Sequence, residues 1–159
     1  MQINEPQSPD PYLNQAKSNH YDSAGQDFDK HDAIAFPNQA TILIVDDSIT
    51  IRHTLSIILT KAGYLVIEAE DGLEAIEKLR KTNDIQAVIS DIEMPRMNGL
   101  ELISQTRQLK GDVLPIIMLT SRSGQKYRQL AHNLGASHYL TKPIVEKEIL
   151  SSLKQYLRN

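Results

Sequence analysis

Three carboxylates, one hydroxyl and one ammonium stand at the carboxyl ends of short apolar runs. Asp46 and Asp47 follow Thr41-Ile-Leu-Ile-Val45, Asp91 follows Ala87-Val-Ile-Ser90, Thr120 follows Pro115-Ile-Ile-Met-Leu119, and Lys142 follows His138-Tyr-Leu-Thr141. If these runs are neighbouring parallel strands, all five side chains converge on one sheet edge. Two carboxylates about 4 Å apart repel by roughly 4 kcal/mol at an effective dielectric of 20, so three together require a proton or a cation. Hard oxygen donors with open water positions favour magnesium, which also bridges to phosphate. The chemistry this suits is metal-assisted phosphoryl acceptance: Asp91 attacks phosphorus to form an acyl phosphate, Lys142 pairs with one phosphoryl oxygen, and Thr120 donates a hydrogen bond to another. Taken singly, each residue has a plainer reading. Asp46 and Asp47 suit a helix N-cap, Asp91 a turn, Thr120 a strand end and Lys142 a solvated charge. Joint placement favours the site.

The elements that must position these groups alternate between strand-like and helical segments from Thr41 onward. Strands are expected over 41–45, 65–69, 86–90, 115–120 and 137–140, mostly as continuous apolar runs suited to a parallel sheet covered on both faces. Ser48 is placed to cap a first helix with Ile51, Leu55, Ile58 and Leu59 inward and Gly63 as its stop. Asp71 and Glu74 resemble a capping box opening a second, whose Leu73, Ile76 and Leu79 share a face. Further helices are expected over about 99–109 and about 123–134, the latter stopped by Gly135, and a fifth carries Ile149, Leu150, Leu153, Tyr156 and Leu157. This alternation implies an α/β three-layer sandwich with functional groups at the carboxyl ends of the strands.

Composition narrows the function classes. The 159 residues are 40% hydrophobic and 23% charged, an ordinary balance for a globular domain, and cysteine is absent. No disulfide framework, thiolate metal site or cysteine nucleophile is available. No apolar run reaches the roughly 18 residues of a spanning helix, and the start lacks a signal-peptide pattern, so a cytoplasmic protein without membrane insertion is expected. The net charge of −3 is uneven: in residues 1–40 Glu5, Asp10, Asp22, Asp27, Asp29 and Asp32 face only Lys17 and Lys30, which gives −4 and leaves +1 elsewhere. Neither part is a basic nucleic-acid surface. Residues 1–40, with Pro6, Pro9, Pro11 and Pro37, are expected to be a disordered acidic tail, with Ile34-Ala-Phe36 as a transient docking patch; residues 41–159 form the domain. The five histidines show no metal-ligand spacing.

From Ile42 onward, about three-quarters of the chain resembles the response-regulator receiver domain, the CheY-like phosphoacceptor module of two-component signalling. The resemblance rests on Ile-Leu-Ile-Val-Asp46-Asp47-Ser, Ser-Asp91-Ile-Glu-Met94-Pro95-Arg-Met-Asn-Gly99, Met-Leu-Thr120-Ser and Gly135-Ala-Ser-His-Tyr139-Leu-Thr-Lys142-Pro143. It implies a flavodoxin-like fold, a five-stranded parallel sheet of order 2-1-3-4-5 with five helices. It implies Mg2+ held by Asp47 and Asp91 directly, by Asp46 through water, and by the backbone carbonyl of Glu93. It also implies a cis Lys142–Pro143 bond, a switch in which Tyr139 turns inward as Thr120 is drawn to the phosphate, and an output face around Lys126, Tyr127, Tyr139 and Glu146. The implied donor is a histidine kinase or phosphotransfer protein. Beyond self-phosphorylation and autodephosphorylation, no enzymatic activity is expected.

Three other readings compete: a pseudo-receiver that binds partners without phosphorylation, an aspartyl-phosphate phosphatase on a similar fold, and a dinucleotide-binding domain. The intact acid, hydroxyl and lysine set opposes the first. Asp91-Ile-Glu93 lacks the acid pattern expected of the second, and no Gly-x-Gly-x-x-Gly follows the first strand for the third. Because the chain ends at Asn159 just after the fifth helix, output is expected through protein contacts by a stand-alone receiver. The second architectural reading is a receiver from the C-terminal end of a chemotaxis-type hybrid kinase. Glu93 and Arg122, each two residues beyond a site residue, are expected to flank the path of water to the acyl phosphate as an ion pair.

Overall fold

In the computed structural model, which describes residues 39–157, the continuous apolar runs become strands because both of their faces are covered. The strands are β1 (Thr41–Val45), β2 (Leu65–Ala69), β3 (Ile85–Ser90), β4 (Ile116–Thr120) and β5 (His138–Thr141). All pair in parallel, in the order β2-β1-β3-β4-β5. Between them lie α1 (Ile49–Lys61), α2 (Gly72–Lys81), α3 (Gly99–Lys110) and α4 (Gln125–Leu134), and α5 (Glu146–Tyr156) follows β5.

Side chains alternate across each strand, so the sheet divides the apolar residues into two cores. Leu43, Val45, Val88, Ile116 and Met118 pack with Ala75, Ile76 and Leu79 of α2, Leu102 and Ile103 of α3, and Ala131 of α4. On the opposite face Ile42, Ile44, Ala87, Ile89, Ile117 and Leu119 meet Leu55 and Leu59 of α1 with Ile149 and Leu153 of α5. The three-layer α/β sandwich follows. The chain goes from β1 outward to β2 and then returns past β1 to β3, so the strand order reverses between β1 and β3. The connections leaving their carboxyl ends diverge there, which opens a crevice at the sheet edge.

Local chemistry accounts for most of the boundaries. The Ser48 hydroxyl accepts from Ile51 N at 3.3 Å, and the stops at Gly63 and Gly135 adopt φ of +95° and +112°, a region that favours glycine. β4 begins at Ile116, one residue later than expected, after a proline that has no N–H to contribute; its carbonyl still accepts from Val88 N at 2.9 Å. α4 begins at Gln125 instead of near Ser123, because the exposed residues 121–124 form a bend and Gly124 supplies no side-chain cap. Two helix details depart from expectation. The Asp71–Glu74 box is only half formed, since Glu74 N donates to Asp71 at 3.0 Å while the Glu74 carboxylate accepts from Glu70 N at 2.9 Å. The reciprocal box belongs to Asn98 and Glu101 at the start of α3. Leu73 is 45% exposed, because Gly72 seats the start of α2 against Met97 and the buried Ala75 and Ile76 take the inner face, which leaves Leu73 in the groove it shares with Met97 and Gln105.

The acidic stretch expected to be disordered, and its Ile34-Ala-Phe36 patch, lie outside the described residues up to Asn38. Ala40 belongs to the domain instead: it packs against the core, and its carbonyl accepts from Leu65 N at 3.0 Å. Among the described residues no helix is long and apolar enough to cross a membrane.

Candidate functional site

The crevice is built from the ends of β1, β3, β4 and β5. Asp46 N donates to the Ala69 carbonyl at 3.1 Å and Asp91 N to the Val45 carbonyl at 3.0 Å, so the sheet ladder continues to the two acids and fixes their backbones. Asp46 and Asp91 are buried, whereas Asp47 is exposed. One oxygen from each of the three carboxylates lies within 4.8 Å of the others. The Lys142 ammonium, carried in from β5, donates to Asp46 Oδ2 and to Asp91 Oδ2, both at 2.9 Å. The remaining oxygens also have backbone donors: Asp46 Oδ1 accepts from Ser48 N at 2.8 Å and Asp91 Oδ1 from Ile92 N at 2.6 Å.

Burial pushes the Asp46 carboxyl up from its ordinary value, against the opposing pull of Ser48 N and the Lys142 ammonium, and the Asp91 carboxylate adds to the rise. Burial alone would pull Lys142 down, but its hydrogen bonds to Asp91 and Asp46 outweigh that effect and raise it. One ammonium among three carboxylates leaves the cluster short of positive charge. An all-oxygen donor set with a formal excess of two negative charges, open to solvent at Asp47, fits a hard divalent cation.

Thr120 is fully buried at the end of β4, with its hydroxyl accepting from Arg122 N at 3.2 Å and its carbonyl accepting from Lys142 N at 2.8 Å. Glu93 is exposed, and its carboxylate forms the expected ion pair with the Arg122 guanidinium. Among the described residues no hydrogen bond is made to the Glu93 carbonyl. Tyr139 is half-buried: its hydroxyl donates to the Arg122 carbonyl, and the Arg128 guanidinium lies 4.8 Å from its ring centre. Arg122 itself lies over the Tyr127 ring at 5.4 Å. Lys126 and Glu146 are exposed in the first turns of α4 and α5. The Lys142–Pro143 bond is cis. The site therefore joins Asp46, Asp47, Asp91 and Lys142 directly, while Glu93, Arg122 and Tyr139 form a separate chain of contacts reaching back to Thr120.

Several supporting residues were not among the expected ones. Gly99 presses against the end of β3 so closely that a Cβ there would lie 1.9 Å from the Asp91 carbonyl oxygen. The loop between them is tied to α2 by Gly72 N donating to Met97 O at 3.0 Å and by Arg96 Nε donating to Asp71 Oδ2 at 2.6 Å, although Arg96 has φ of +62°. Below Asp46 lies the buried Arg52 of α1, whose Nη1 donates to the Asp46 carbonyl at 2.7 Å. Arg52 shares the 3/4 spacing of Leu55 and Leu59, so an arginine on an apolar stripe was the signal that marked it.

A family model for the response regulator receiver domain matches residues 42–154. The chain is 38% identical over 118 residues to a chemotaxis protein CheY homolog of Campylobacter jejuni, covering 73% of this chain and 91% of that protein. It superimposes on Vibrio cholerae chemotaxis protein CheY4 with a TM-score of 0.70 at 37% identity, covering 75% of this chain and 99% of the other. A complex of CheX, CheY, BeF3 and Mg2+ from Borrelia burgdorferi matches with a TM-score of 0.70 at 26% identity, covering 75% of this chain and 90% of that one. With strand order, acidic crevice and sequence in agreement, the chain belongs to the response regulator receiver domain family, the CheY-like module of two-component signalling.

Proposed function

We propose that this receiver accepts a phosphoryl group on Asp91 from a phosphohistidine of a histidine kinase or phosphotransfer protein. The observation that carries the proposal is the convergence of the Asp46, Asp47 and Asp91 oxygens within 4.8 Å, with Lys142 bridging two of them. An Asp91 oxygen attacks phosphorus, the phosphorus–nitrogen bond breaks, and its electron pair returns to the imidazole of the donor. The product is an acyl phosphate. Magnesium, supported by the oxygen donor set and by the Mg2+ in the Borrelia burgdorferi complex, would be held by Asp47, Asp91 and the Glu93 carbonyl, with Asp46 acting through water, and would offset the charge between carboxylate and phosphoryl oxygens. Lys142 follows a phosphoryl oxygen, and Thr120 donates to another.

The readout is a change of protein contacts. As Thr120 turns toward the phosphoryl group, Tyr139 gives up the Arg122 carbonyl and moves inward. This alters the face around Lys126, Tyr127, Tyr139 and Glu146, where a downstream protein docks. The domain that begins at about Ala40 acts as the receiver, in the cytoplasm, with no direct contact to nucleic acid and no turnover beyond self-phosphorylation and autodephosphorylation. The test is labelling by a small-molecule phosphodonor with Mg2+. Labelling is expected for the wild type and absent for Asp91→Asn; full labelling of that variant refutes the assignment.

A further inference from the structure

We infer that Arg52 is a positioning residue for the Asp46–Asp47 acid turn and thereby sets the affinity of the site for a divalent cation. The inference rests on the metal-binding reading above. Arg52 is only 9% exposed, and a charged side chain is costly to bury unless it is hydrogen-bonded. Its neighbours along the same stripe of α1, Leu55 and Leu59, are core leucines, so packing alone would be met by an apolar side chain.

The partners of Arg52 show what its charge serves. Its shortest contact is the Asp46 carbonyl at 2.7 Å, whereas the carboxylates of Glu68 and Glu70 stand at 3.9 and 4.0 Å and are themselves largely exposed. That carbonyl belongs to the peptide plane joining Asp46 to Asp47. Asp46 is held besides through its N–H on Ala69 and its carboxylate on Ser48 N and Lys142. Asp47 has no such support: among the described residues its exposed carboxylate makes no hydrogen bond, so its direction depends on the peptide from which it projects. Arg52 fixes that peptide from below, while Glu68 of β2 and Glu70 just beyond it stand beside the guanidinium at 3.9 and 4.0 Å. The guanidinium thus connects the β2 edge to the one cluster acid that its own contacts do not orient.

The test is calorimetric titration of MgCl2 into the metal-free full chain for the wild type, Arg52→Met, Arg52→Lys and Asp47→Ala, with thermal unfolding of each without metal. Removing a group that orients a ligand typically weakens metal affinity about tenfold or more. Arg52→Met is expected to raise the Mg2+ Kd by about that factor with little change in the metal-free melting temperature, since an unbranched apolar side chain suits the stripe. Arg52→Lys, which keeps charge without the planar fork, should give a smaller rise. A Kd unchanged in Arg52→Met while the melting temperature falls would show a merely structural residue and overturn the proposal. If Arg52→Met does not fold, an unchanged Kd in Arg52→Lys overturns it equally. A wild type that binds no Mg2+ refutes the metal reading and this inference together, whereas wild-type binding lost in Asp47→Ala but kept in the Arg52 variants refutes this inference alone.

Discussion

The Glu93–Arg122 ion pair joins the residues two positions beyond Asp91 and Thr120, and if it covers the path of water to the acyl phosphate, breaking it should shorten the life of that phosphate. Both side chains are substantially exposed, 57% for Glu93 and 46% for Arg122, and Arg122 also rests on the Tyr127 ring. An exposed pair is worth about the thermal energy or somewhat more, so losing it changes the closed population by roughly two- to fivefold and not by orders of magnitude. If hydrolysis proceeds through the open mouth, Glu93→Gln or Arg122→Ala should quicken autodephosphorylation by that factor. The double variant should be no faster than the quicker single, since one interaction can be removed only once.

The assay follows acyl phosphate after removal of the phosphodonor, at low and high salt. Screening shortens from a Debye length of about 10 Å at 0.1 M to about 3 Å at 1 M, so salt should accelerate the wild type but not the double variant. Unchanged rates in both singles, or a double variant whose acceleration is the product of the two, would refute the gate.

Asp47→Ala should weaken Mg2+ binding more than Asp46→Ala in the same titration, since a direct ligand is lost rather than a water-mediated one; equal losses contradict the ranking. Among the described residues the buried Thr106 hydroxyl of α3 has no hydrogen-bond partner, so Thr106→Val should raise stability by about 1 kcal/mol, read from denaturant midpoints. Asp71 resists the upward push of burial: Glu74 N and the Arg96 guanidinium hold it below its ordinary value of 3.8. A depressed carboxyl stabilises the fold above its unfolded value and loses that contribution as pH falls through the folded one, so the urea-midpoint gap between wild type and Asp71→Asn should shrink below about pH 4. Deletion through Asn38 is expected to leave melting temperature and Asp91 labelling unchanged; a large drop in melting temperature would place that segment in the fold.

What could be read from the residues in order was whatever local chemistry decides. Continuous apolar runs specify strands buried on both faces, Ser48 and Gly135 mark helix limits, and the positions of Asp46, Asp47, Asp91, Thr120 and Lys142 at strand ends place them on one edge once the strands are parallel. The pairing of Glu93 with Arg122 was legible too, from opposite charges at matching offsets from Asp91 and Thr120. The contacts that shape the site were not legible. Periodicity puts Arg52 on the inner face of α1, but not beneath the one carbonyl that carries Asp47. Asp71 reads as a helix cap, and only the approach of a loop from beyond β3 makes it the partner of Arg96. Leu73 has the spacing of a core residue, yet the seating of Gly72 against Met97 leaves it 45% exposed. Sequence pattern governs most of which side of an element is buried, because that depends chiefly on solvent. Which distant carbonyl or carboxylate meets a buried charge depends on how the elements pack, and only the tertiary structure decides it.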